Sequence, residues 1–167
     1  MKQDACPCRR SFLMAAFCLL AVFQVAAAGK ELIPAPYQSV IAHADAVYAM
    51  NGNEHRVRFC ILGDAGASHG RAIAAYRLGP NGEPRRIYLD RDRGCCPWKI
   101  LVCELDGDPE PEIAVGMYKA TRFFPEPANR LFIFDWNGRF IFPKWLGSRL
   151  TSPLEDFAFI RGEACRS

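Results

Sequence analysis

The sequence predicts an all-β fold built of short antiparallel strands, and three observations predict it. Asn-Gly stands at 51–52, 81–82 and 137–138, each time between apolar or β-branched runs. No long stretch holds the 3.6-residue periodicity of an amphipathic helix. From Ala46 onward, runs of apolar residues alternate with Gly, Pro, Asn and Asp, the punctuation of strands and turns.

Asn-Gly is the strongest short hairpin signal, because both residues tolerate the positive φ of a type I′ turn. The three dipeptides therefore predict that strand 47–50 pairs with 56–62, 72–78 with 85–90, and 130–136 with 139–143. Two further strands are expected at 98–104 and 112–117. In the last hairpin Leu131, Ile133 and Ile141 alternate with Phe132, Phe134 and Phe140. Both faces are thus apolar, which places that hairpin between other layers.

A period runs through this region. Asn81-Gly82 and Asn137-Gly138 stand 56 residues apart, and so do Pro97 and Pro153. Repeats of about this length with four strands each are the pattern of β-propeller blades. The length holds about two blades plus a stub, a partial propeller, because closed propellers need roughly four to eight blades. The stub is the apolar run 157–160 after Pro153, expected as another blade's first strand, which stops within seven residues at 161–167. Such an unpaired edge invites self-association.

The N-terminus reads differently. Lys2, Arg9 and Arg10 precede an apolar run from Phe12 to Val25, and Ala26-Ala27-Ala28 follow. These are the three parts of a secretory signal, and the apolar run is shorter than the roughly 20 residues a membrane helix needs. The expected organisation is a signal peptide over 1–28, an irregular lead-in over 29–45 with Pro34 and Pro36, and blades over 46–167. A retained N-terminal anchor is the alternative. Arg9-Arg10-Ser11-Phe12-Leu13 resembles a twin-arginine signal, so export by the Sec or the twin-arginine route stays open. The expected location is extracytoplasmic, periplasmic or secreted, with no membrane association once the signal is removed.

The chain carries a formal charge of +3 and eight cysteines. Without the signal, 139 residues of net charge +1 remain. That gives no basic face for nucleic acid. Cys60, Cys95, Cys96, Cys103 and Cys165 also remain, and an oxidising compartment favours pairing among them. The vicinal Cys95-Cys96 with Cys103 reads as structural disulfides before a redox or metal site, since no Cys-x-x-Cys is present. His43, His55 and His69 lie apart, and Ser68-His69 near Asp64 lacks a nucleophile elbow.

Residues 104–116 carry the chemistry: Glu-Leu-Asp-Gly-Asp-Pro-Glu-Pro-Glu-Ile-Ala-Val-Gly. This stretch resembles the FG-GAP (VCBS, integrin-α-like) repeat, whose acidic Asp-x-Asp-Gly-Asp loop leads into an apolar strand ending in glycine. The resemblance covers 98–145. It implies calcium held by Glu104, Asp106, Asp108, the carbonyl of Glu110, and Glu112, with Ile113–Gly116 as the following strand. Calcium takes six to eight oxygens, and alternating acids on a tight loop can aim several at one centre. Glu104 replaces the usual Asp, and Pro109 stands where the loop usually has Gly; the alternative is a turn whose acids face water. Gly63-Asp64-Ala65-Gly66 is read as a degenerate counterpart.

A long loop is expected over 118–130, with Arg122, Phe123, Phe124 and Arg130 as candidate ligand-binding residues. The alternative places its aromatics in the core. The leading expectation is a non-catalytic exported binding or scaffold module for a protein or glycan ligand. The second is an extracytoplasmic enzyme, such as a glycan-acting hydrolase, with its site in that loop. One acidic cluster without a second favours binding. N-terminal sequencing of protein recovered from the periplasm or medium should begin at or near Gly29; intact Met1 there would refute cleavage. Loss of export on replacing Arg9 and Arg10 by Lys would assign the twin-arginine route, and normal export the Sec route.

Overall fold

The structure, a computed structural model, describes residues 33–50, 52–91, 94–147 and 153–160. The segment 1–28 expected as a signal, and residues 161–167 with Cys165, lie outside them. Among the described residues there is no helix; eight strands make up the fold. They are β1 Ser39–Met50, β2 Asn53–Gly63, β3 Ala72–Leu78, β4 Pro84–Arg91, β5 Cys96–Cys103, β6 Glu112–Lys119, β7 Ala128–Trp136 and β8 Ile141–Leu146. They form two four-stranded antiparallel sheets in simple meander order, β1-β2-β3-β4 and β5-β6-β7-β8, not closed into a barrel. This is the all-β arrangement of two propeller-type blades that the sequence predicts.

The 56-residue period holds at the third hairpin of each sheet, where Asn81-Gly82 joins β3 to β4 and Asn137-Gly138 joins β7 to β8. The turns themselves differ from the expected two-residue type at two of the three sites. Met50 pairs with Asn53, which closes the first hairpin tightly. Leu78 pairs with Pro84 and Trp136 with Ile141, so the other two loops are longer. In the third, the Asn137 side-chain oxygen accepts the N–H groups of Arg139 (3.0 Å) and Phe140 (2.8 Å). That side-chain turn competes with the I′ geometry and carries β8 on to Leu146, past the expected end at 143.

Other expectations need correcting. β1 starts at Ser39 rather than Ala46, so part of the expected irregular lead-in is strand. The Gly63–Gly66 segment leads from β2 to β3, whereas the acidic loop joins β5 to β6; its counterpart in the first sheet is the tight β1–β2 connection. Residues 153–160 form no strand. They lie on the outer face of the second sheet: Phe157 meets Trp98 edge-on at 5.8 Å, and Lys99 bonds Asp156 at 2.5 Å. Pro97 lies within β5 while Pro153 heads this unpaired segment, so the proline spacing marks no equivalent positions.

The core lies between the sheets. Alternate residues of β2 and β3 (Val57, Phe59, Ile61, Ile73, Ala75) pack against Ile100, Ile113, Val115, Met117, Phe132 and Trp136 of the second sheet. Phe59 and Trp136 meet edge-to-face at 5.5 Å, a geometry the ring quadrupoles favour. The intervening residues Cys60, Leu62, Ala72, Ala74 and Tyr76 form a second cluster on the outer face of the first sheet, capped by Tyr37.

Gly116 of β6 faces the outer side of the second sheet. A Cβ there would come within 2.7 Å of the Trp98 ring and 2.9 Å of Phe157. Gly116→Ala should cost about 1–3 kcal/mol in urea unfolding, the range for overpacking. A change in intrinsic tryptophan emission as Trp98 is displaced should accompany it. An unchanged midpoint would show that residues 153–160 do not seat on this face.

Candidate functional site

The acidic loop, residues 104–111, is organised by its own carboxylates. Glu104 accepts the Gly107 N–H, Asp106 Oδ1 the Asp108 N–H (3.3 Å), and Asp108 Oδ1 the Glu110 N–H (2.7 Å). Glu112 Oε2, from the start of β6, accepts the Leu105 N–H at 2.8 Å. Short acidic side chains that bond the backbone two residues on build turns of this kind without regular structure. The Tyr48 hydroxyl of the first sheet donates to the Pro111 carbonyl at 2.8 Å and ties the loop to β1.

Of the five predicted ligands, three converge. Carboxylate oxygens of Asp106, Asp108 and Glu112 lie within 4.8 Å of one another, and Glu112 is fully buried while the other two are exposed. The Glu104 carboxylate is not in the group, which is one of side-chain oxygens and leaves the Glu110 carbonyl aside. Two residues that the sequence reading missed complete it. Lys144 of β8 donates through Nζ to Asp106 Oδ2 and Glu112 Oε1, both at 2.5 Å, and lies 3.2 Å from Asp135 Oδ1 of β7. The signal for both was a charge inside an apolar run, Phe134-Asp135-Trp136 and Pro143-Lys144-Trp145.

The electrostatics follow from these contacts. Hydrogen bonds to Asp106 and then Glu112 hold the Lys144 ammonium well above the ordinary lysine range. The bond from Lys144, followed by that from the Asp108 N–H, holds the Asp106 carboxyl below its usual value. Calcium prefers oxygens at about 2.3–2.6 Å, and oxygens within 4.8 Å of one another could surround such an ion. The position between Asp106 and Glu112 is taken in this structure by the Lys144 ammonium.

The other predicted site is shorter than expected. Tyr118 and Lys119 belong to β6 and 128–130 to β7, leaving 120–127 as loop. Arg130 is buried, donating to the carbonyls of Lys119 and Glu126 at 3.2 Å each and stacking over Phe124 at 5.3 Å. It therefore braces the loop. Phe123 is 80% exposed with Arg122 beside its ring, so these two alone of the four face solvent as a ligand contact would. Asp64 bonds Arg71 at 2.9 Å, and Ser68 bonds its neighbour His69. Cys96 is disulfide-bonded, as expected for part of the cysteine set, whereas Cys60 and Cys103 carry thiols. An apolar cleft of about 170 Å³ opens between the sheets, lined by Ile73, Met117, Phe132 and Phe134, with Asp90 and Lys119 among its polar groups.

No family model, curated protein or solved structure matches the chain.

The perturbed groups set an expected pH profile. Asp45, Asp106 and Asp156 are held low, chiefly by Arg58, Lys144 and Lys99 respectively. Their folded pKa values lie below the unfolded value of 3.8. The unfolded chain therefore takes up protons first on acidification, and the stability they contribute is lost as pH falls below that value. Burial raises the Cys60 thiol from 9.0 to about 12 and the Cys103 thiol from 9.0 to about 11. Stability is lost again as pH rises above 9.0, where the unfolded thiols ionise first. Melting temperatures should be flat between about pH 5 and 8 and fall on both sides; Cys60→Ala should blunt the alkaline limb.

Proposed function

We propose that this chain is an exported, non-catalytic binding or scaffold module of the FG-GAP repeat type. Its contact surface is the β8 edge with the adjoining outer face of the second sheet. One observation carries the reading: large apolar side chains are exposed together there. Phe140, Phe142 and Trp145 are 48%, 41% and 37% exposed along a single edge strand and its entry, Leu146 at the strand's end is exposed beside the cleft, and Phe159 and Ile160 are exposed on the segment laid across the same sheet. Exposed apolar surface concentrated on an edge strand is characteristic of an interaction site. The resemblance to FG-GAP repeats is supported by the loop that gathers Asp106, Asp108 and Glu112 at the start of β6.

The polar groups point the same way. The acids of the loop are spent on backbone N–H groups and Lys144, and the buried arginine at the opposite end braces its own loop. A hydrolase site over 118–130 would have the exposed Arg122, Phe123 and a single loop carboxylate, Glu126, and so no carboxylate pair. A protein partner suits the apolar edge best, and a second copy of the chain is the first to test. Light scattering across a concentration series should show association of the mature protein. The paired substitution Phe142→Ser and Trp145→Ser should abolish it while leaving the melt cooperative. A monomer at every concentration, with no response to the paired substitution, would rule out self-assembly through this edge.

A further inference from the structure

The acidic loop places a cation-sized centre among carboxylates, and the fold delivers a cation to it from its own chain. We infer that Lys144 is the resident cation of this loop, so that the loop is locked by an internal ammonium and does not depend on calcium. The inference stands apart from the binding role proposed above, since it concerns the loop and not the apolar edge.

The geometry begins with a bulge. Along β7 and β8, Ile133 pairs with Trp145 and the next residue, Phe134, pairs with Pro143, so Lys144 is the extra residue that the ladder skips. A bulged residue is released from the pleat and re-aimed. Here the side chain reaches across the sheet to a loop 38 residues earlier in the sequence. Nζ then lies 2.5 Å from Asp106 Oδ2, 2.5 Å from Glu112 Oε1 and 3.2 Å from Asp135 Oδ1. Three carboxylates from three segments meet one ammonium, which has three protons to donate.

Three further oxygens of the cluster have backbone donors. Asp106 Oδ1, Asp108 Oδ1 and Glu112 Oε2 accept N–H groups of the loop. Both oxygens of Asp106 and of Glu112 therefore have donors. An ion binding between those two residues would have to sit where Nζ sits, and two positive charges cannot share that space. Glu112 makes the ammonium necessary: its carboxylate is 1% exposed, and a buried charge without a counter-charge is strongly unfavourable. Lys144 answers a need that in a metal-bound loop an ion would answer, and it also fastens the outermost strand of the sheet to the turn between the first two.

The test uses calcium chloride and a chelator on the full mature chain. Wild-type protein should melt at the same temperature in millimolar calcium and in chelator, and titration calorimetry should detect no heat of calcium binding. Lys144→Met leaves Asp106, Asp108, Glu112 and Asp135 without their cation. It should melt lower in chelator and gain about 3 °C or more when calcium stands several-fold above its dissociation constant. Lys144→Arg, which keeps the charge, should stay insensitive to calcium. A wild-type melt that rises with calcium, or heat of binding to the wild type, would overturn the inference, because calcium would then displace the ammonium. A Lys144→Met protein that melts like wild type and ignores calcium would overturn it equally. Should that variant fail to fold, the wild-type titration and the Lys144→Arg melt decide alone.

Discussion

Both sheets carry apolar side chains on both faces, and everything else in the fold answers that constraint. A sheet with one wet face can stand alone against a single partner layer; a sheet with two dry faces needs cover on each side. β2 shows it within one strand, where Val57, Phe59 and Ile61 turn to the second sheet and Cys60 and Leu62 turn away, all essentially buried. The two sheets satisfy each other on their facing sides. On the outer sides the chain uses its non-strand segments: Tyr37 seals the first sheet, and Phe157 seals part of the second over Trp98 and Gly116. Among the described residues the cover on the second sheet stops short of β8, where the exposed aromatics collect.

Charges inside such a fold must be neutralised or hydrogen-bonded. Among the described residues two are buried, Glu112 and Arg130, and they hold loops at opposite ends of one sheet. Glu112 ties the β5–β6 loop to β8 through Lys144, and Arg130 ties the β6–β7 loop to the ends of its own two strands. Each buried charge therefore fixes a loop. Loops held in this way are poor candidates for lids.

The strands were legible because their signals are local. Asn-Gly turns and alternating apolar residues place seven of the eight to within a few residues, and the clearest misses, the start of β1 above all, have physical causes. The start of β1 escaped because His43 and Asp45 interrupt its apolar pattern on a sheet edge. The end of β8 escaped because the Asn137 side chain lengthens the turn and Lys144 bulges the strand. The site was legible only as far as one segment carries it. Asp106, Asp108 and Glu112 are neighbours in sequence, whereas Lys144 and Asp135 reach them through strand register and a bulge, which spacing alone does not reveal. Arg130 read as a ligand-facing residue because its burial depends on where β7 begins.

Comparing the two sheets explains why the acids are there at all. The first hairpin of the first sheet closes tightly, and that geometry needs little side-chain help. The equivalent connection in the second sheet takes the eight residues 104–111. A loop of that length exposes backbone donors with no strand opposite them, and each must find an acceptor. Glu104, Asp106, Asp108 and Glu112 each take one, at Gly107, Asp108, Glu110 and Leu105. Carboxylates recruited to satisfy backbone N–H groups also bring negative charge into a small volume, and some positive charge must then be found nearby. A free ion would meet that need, but so does a lysine on the outermost strand, with the added consequence that the strand and the loop hold each other in place. In this loop the turn chemistry comes first, and the cation follows from it.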